Sequence, residues 1–217
     1  MAVVAVFLAG LIALGSAGIM PAFLFWGLLG AGGLAALIGW ADDRKDIPAR
    51  FRLAGHFIAA AWALFWLGGL PPLPVFGVEI KMGIAGYVLA AVYLVWLLNR
   101  YNFMDGINGI AGIEAITVCA GGAVLHLLWP GCEDRAWMIA LLLAAATAGF
   151  LVWNFPAAEI FMGDAGSGFL GIVLGVLSVY AGWLQAELFW GWVILLGTFI
   201  VDTTVTLVRR ALQGEKV

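Results

Sequence analysis

Residues 83–112 read GIAGYVLAAVYLVWLLNRYNFMDGINGIAG, and the two halves of that stretch ask for different surroundings. Residues 83–98 carry no charge and no proline, as an apolar helix crossing a bilayer requires. Residues 99–112 then crowd Asn99, Asn102, Asp105 and Asn108 among Gly106, Gly109 and Gly112. An uncharged membrane-length run that ends in amides, a carboxylate and glycines predicts a helix whose exit from the membrane carries a polar site.

The whole chain has the same character. Hydrophobic residues make up 65% and charged residues 11%, and the mean hydropathy is +1.08. These values lie far from those of soluble domains. Runs of low charge predict about eight spans of roughly 20 residues each, near 2–18, 22–41, 53–70, 83–98, 110–129, 136–153, 169–186 and 188–208. Long continuous runs select helices over a barrel, so the expected fold is an all-α polytopic transmembrane helix bundle forming a single domain over 1–217. The first run lacks the basic start of a signal peptide and reads as a short span.

Cations orient the bundle. Eight spans would place both termini on one face together with Arg44, Lys45, Arg50, Arg52, Arg100, Arg209, Arg210 and Lys216, and leave Lys81 and Arg135 on the other. Basic residues mark the cytoplasmic side, so both termini are expected there. By the same parity, WADDRKDIPARFR, NRYNFMDGINGIAG and NFPAAEIFMGDAGSGF all emerge on the cytoplasmic face, where they can build one site. The outer connections PPLPVFGVEIKM and PGCEDR show ordinary turn chemistry.

The three segments carry compatible chemistry. Asp42 and Asp43 close the second span, where the negative end of the helix dipole adds to two carboxylates and favours a cation. Magnesium suits such a site, because it takes oxygen ligands from one or two carboxylates together with waters and phosphates; manganese is the alternative. Asp105 and Asp164 precede helix starts, and Gly106, Gly109, Gly166 and Gly168 would let helix-start amides meet phosphate oxygens. Asn99 and Asn102 can hydrogen-bond a base, a sugar or a metal-bound water. Read singly, DDRKD is a solvated charge run and the glycines are helix-packing residues; only their shared face argues for a site. His56 and His126 read as packing or hydrogen-bonding residues, and Cys119 and Cys132 as structural. Asp202, inside an apolar run, could pair with Arg209 or Arg210 about two turns on.

At these residues the sequence resembles the polyprenyl-phosphate N-acetylhexosamine-1-phosphate transferases, or glycosyltransferase family 4, which include the phospho-N-acetylmuramoyl-pentapeptide transferases. DDRKDIPARFR looks like the family's aspartate pair and arginine-containing loop, NRYNFMDG like its N-x-x-N-x-x-D-G segment, and MGDAGS like its M-G-D-x-G-S segment, in family order from about residue 36 onward. The nearest subgroup starts O-antigen-type lipid-linked sugars. The resemblance implies transfer of a sugar 1-phosphate from a UDP-amino sugar to undecaprenyl (polyprenyl) phosphate, with release of UMP, at the bacterial cytoplasmic membrane.

It also implies roles: Asp42, Asp43 and Asp105 in catalysis, Asp164 and Asp43 at the metal, and Asn99, Asn102, Asn108, Gly106, Gly166, Ser167 and Arg52 around the substrates. The family's DGIDG is DGING here, with Asn108 in place of a carboxylate. The chain also looks short at both ends and lacks a histidine-rich C-terminal segment. A catalytically silent family member and a small ion-coupled transporter are the rival readings. The oligomeric state stays open, a homodimer included.

Overall fold

The computed structural model describes residues 1–130 and 134–214, so Cys132 and Lys216 lie outside the described residues. Nine helices follow one another among these residues: α1 Ala2–Ser16, α2 Ala22–Asp42, α3 Ala49–Leu67, α4 Gly83–Met104, α5 Ile110–Leu128, α6 Ala136–Asn154, α7 Gly163–Leu184, α8 Ala186–Leu195 and α9 Gly197–Leu212. The expected helix bundle is present, with one departure from all-α: β1 Leu73–Val75 and β2 Val78–Ile80 form an antiparallel hairpin between α3 and α4. Its register, Val75 opposite Val78, leaves a two-residue turn in which Phe76 and Gly77 both take positive φ, 49° and 82°. That is the backbone a tight hairpin turn demands.

Among the described residues five helices are long and apolar enough to cross a membrane: α2, α4, α5, α6 and α7. The chain is a multi-pass membrane protein, but eight uniform spans are not what the helices provide. At 15 residues α1 is short for a span. The first two turns of α3 carry Arg50, Arg52 and His56, which lowers its hydropathy. The last expected span is broken into α8 and α9, bent by 64°; counted together they make a sixth candidate. Only α9 is strongly two-faced, the pattern of a helix lying along an interface.

The bundle is organised around α7, buried continuously from Ala165 to Gly182. A helix apolar on every side belongs inside a bundle, and its small residues let neighbours close in. A Cβ on Gly171 would stand 2.7 Å from the Cα of Leu98 in α4. A Cβ on Gly39 of α2 would stand 2.4 Å from the carbonyl of Asp164. Backbone thus lies directly on backbone where the C-terminal ends of α2 and α4 meet the start of α7. Large apolar side chains such as Phe65, Ile84, Leu128, Val152 and Ile194 are left on the outside, a surface suited to lipid.

Candidate active site

The three polar segments meet at this junction. Asp42 is the last residue of α2, where the helix dipole disfavours a carboxylate, and the surroundings offset that. Its Oδ1 accepts a hydrogen bond from the Ile47 amide at 2.7 Å, closing the short connection to α3. Its Oδ2 is paired with Nη1 of Arg52, projecting from the first turn of α3. The same Nη1 lies 3.5 Å from Oδ2 of Asp164 in the first turn of α7. Asp42 and Asp164 face each other closely enough to hydrogen-bond, so two carboxylates from distant parts of the chain share one guanidinium.

Asp43 turns the other way. Its Oδ1 accepts the Asp164 amide at 3.0 Å and its Oδ2 the Ala165 amide at 3.4 Å. The carboxylate that follows α2 therefore caps the positive end of α7. Gly163, with φ of 65°, makes room for it: a Cβ there would sit 2.7 Å from Asp43 Oδ2. This corrects the expectation that the α7 amides are free for phosphate. The amide of Gly109 is also engaged, donating to Oδ1 of buried Asn154 at 2.7 Å. Asn154 Nδ2 in turn donates to the Ile160 carbonyl at 2.9 Å. Asn154 so ties the 155–162 connection to the start of α5, a role that sequence reading missed.

From α4, Asn99 donates to the Val95 carbonyl at 2.7 Å and its side chain also faces His56. Asn102 donates to Oγ of Ser167 at 3.2 Å and is a polar neighbour of Asp164. Asp105, just past the helix end, has its carboxyl pushed up to about 6, first by burial and second by the charge of Asp164. Desolvation and a like charge both penalise the ionised form.

Asp42, Arg52, Asn99, Asn102 and Asp164 line one cavity of about 50 Å³ together with His56. Of the other expected residues, Ser167 is held against Asn102, whereas Gly166 packs on Met162. Gly106 is exposed with nothing near it. Asn108 donates to the Pro156 carbonyl at 3.4 Å. His56 is the residue that sequence reading set aside. It is buried, its Nδ1 has no hydrogen-bond partner, and Asn99 is its hydrogen-bonding neighbour. The available signal was its position one helical turn after Arg52, on the same face of α3.

Among the described residues no group of three or more His, Cys, Asp or Glu forms a metal cluster. The donors that do converge, Asp42 and Asp164, are two hard oxygen groups already sharing a cation, and magnesium commonly uses that number with waters and phosphate oxygens completing its shell. The donor set therefore fits a hard divalent ion.

Residues 25–182 match the family described as glycosyl transferase family 4. The chain is 30% identical to the decaprenyl-phosphate N-acetylglucosaminephosphotransferase of Mycolicibacterium smegmatis, over 85% of this chain and 51% of that protein. It is 35% identical to a probable undecaprenyl-phosphate N-acetylglucosaminyl 1-phosphate transferase of Bacillus subtilis, over 64% of this chain and 39% of that one. It is also 35% identical to the phospho-N-acetylmuramoyl-pentapeptide-transferase of Moorella thermoacetica, over 66% and 49%. The chain spans about half the length of the curated relatives it matches.

Proposed function

Because the chain belongs to glycosyl transferase family 4, we propose that it transfers a sugar 1-phosphate from a UDP-N-acetylhexosamine to undecaprenyl phosphate in cell-envelope polysaccharide synthesis, with its site on the cytoplasmic side of the inner membrane. An oxygen of the lipid phosphate attacks the sugar-bearing phosphorus of the donor. The bond from that phosphorus to the bridging oxygen breaks, UMP leaves, and a lipid-linked diphosphosugar forms. Such a displacement needs positioning and charge neutralisation more than covalent help from the protein.

The supporting observation is the Asp42–Arg52–Asp164 contact, which joins the first and third motif segments, with Asn99 and Asn102 of the second lining the same cavity. Asp164 and Asp42 would hold the magnesium or manganese ion, which supplies charge neutralisation at the phosphoryl oxygens. Asp43, engaged with the α7 amides, supports the site by holding Asp164 in place rather than acting as a main ligand. Arg52 places positive charge where the phosphates gather. Asn102 orients Asp164, and Asp105 lies where it can take up or release a proton near neutral pH. The cavity has room for an ion and its nearest waters, so the nucleotide would lie outside it, over the exposed Gly106–Asn108 turn beside half-buried Asp105.

The test is UMP release from UDP-N-acetylhexosamines by the purified protein with magnesium, with and without undecaprenyl phosphate. Lipid-dependent release that falls at least about a hundredfold in Asp164→Asn supports the transferase. A folded wild-type protein that releases no UMP from any such donor supports the silent family member instead. A transporter is disfavoured because the principal carboxylates, those of the three polar segments, cluster at one end of the bundle rather than along a path through it.

A further inference from the structure

A second cavity, of about 180 Å³, opens on a different face of α4, where its last turns meet α9; it is lined by Arg100, Phe103, Thr203, Thr206, Leu207 and Arg210. The junction is built rather than incidental. Trp96 Nε1 donates to Thr204 Oγ1 at 3.3 Å, and the rings of Tyr101 and Phe199 pack 4.8 Å apart. The Arg100 guanidinium lies 4.5 Å from the Trp96 ring and 5.7 Å from that of Phe103, which fixes its plane.

Two observations point to an anion as the natural partner of this cavity. Arg100 Nε is shut off from solvent yet has no hydrogen-bond partner, a costly state for a charged donor. Among the described residues, the ion pairs involve Arg52 and His126 alone, so neither Arg100 nor Arg210 meets a carboxylate. Two cations on one small cavity repel each other until an anion joins them. The α9 carboxylate, Asp202, is exposed and does not line the cavity. The Thr206 hydroxyl is a further donor.

We propose that this cavity binds a phosphate group, held by the guanidinium groups of Arg100 and Arg210, and that its source is the phosphodiester headgroup of an anionic membrane lipid. Planar guanidinium forks match phosphate oxygens in number and geometry. The lipid source follows from α9, whose outer side exposes Val201, Val205, Val208 and Leu212 beside an apolar groove suited to an acyl chain. This site is separate from the carboxylate cavity, and α9 lies beyond the family match at residues 25–182, so the inference does not depend on the proposed reaction.

Native mass spectrometry of the purified full chain, equilibrated with phosphatidylglycerol and phosphatidylcholine of matched acyl chains, tests it. The wild type is expected to retain phosphatidylglycerol preferentially, and the double variant Arg100→Gln, Arg210→Gln to lose about 30-fold of that preference. Arg50→Gln, which alters an arginine of α3 outside both this cavity and the apolar groove, should keep it, and Arg100→Lys, Arg210→Lys should keep part of it. A thermal shift produced by inorganic phosphate alone, absent in the double glutamine variant and unaccompanied by any lipid preference, would assign the phosphate site to a soluble anion and overturn the lipid source. Equal retention of both lipids by the wild type with no phosphate shift, or an undiminished preference in the double variant, overturns the site itself. None of these readouts requires transferase activity.

Discussion

At the scale of single residues, Arg52 decides what the carboxylates are. Without it, Asp42 and Asp164 would be two like charges face to face. With it, they form a site with a built-in cation. Replacing Arg52 by Gln should lower stability by about 1.5 kcal/mol in the absence of divalent ions, the low end for hydrogen bonds to a charged group because the guanidinium is partly exposed to solvent. Added magnesium should then raise the melting temperature of Arg52→Gln more than that of the wild type, since the ion takes over the counter-charge. Equal magnesium shifts in the two proteins would detach Arg52 from the ion site. Asp105 carries a second prediction at this scale. Its carboxyl sits at about 6 in the folded chain against an ordinary 3.8, so folding favours the protonated form. That contribution is complete below about pH 3.8 and is lost as pH rises through about 6. Melting measured without divalent ions should therefore show the wild type gaining on Asp105→Asn between about pH 7.5 and pH 5, and a pH-independent difference would refute the assignment.

At the scale of elements, the site depends on how closely helices approach. Gly39 lets the end of α2 lie on the first turn of α7, and that contact brings Asp43 to the Asp164 and Ala165 amides. Gly39→Ala puts a methyl group against backbone that cannot rotate away, so the helices must separate. Overpacking of this kind costs about 1–3 kcal/mol, and here it should also abolish the Asp43 cap and most of the transferase activity. The variant is expected to stay folded with a reduced melting temperature; unchanged activity would mean that the α2–α7 contact does not position the site. The same scale explains where the sequence misleads. A Gly-rich helix start looks like an anion site, but whether its amides are free depends on what packs against them. At α7 that is Asp43, and at α5 it is Asn154.

At the scale of the whole molecule, the polar segments belong to one end of the bundle. Cysteines placed at Lys45 and Glu159, in a background with Cys132 changed to Ser, should react with a membrane-impermeant thiol reagent from the same side of sealed vesicles. Labelling from opposite sides would dismantle the shared site. Much of this architecture was legible beforehand: hydropathy marks the apolar helices, because burial in lipid acts on each segment separately. The joining of Asp42, Asn102 and Asp164 was legible through motif chemistry and parity. The span count was less so, since the Arg and His residues of α3 and the bend between α8 and α9 trade hydropathy for site and interface geometry. Asp202 illustrates the same limit: spacing suggested a partner in Arg209 or Arg210, yet among the described residues no ion pair joins them, because an exposed carboxylate is solvated without one. By itself, the sequence determined that this chain is a membrane helix bundle of its family with carboxylates, amides and glycines at helix ends, because those properties are written in composition and short-range spacing. Only the tertiary structure decided that Asp43 caps α7, that Arg52 bridges Asp42 and Asp164, that His56 lines their cavity and that Arg100 and Arg210 line a common one, because each of those arrangements joins elements whose approach is set by packing across the bundle.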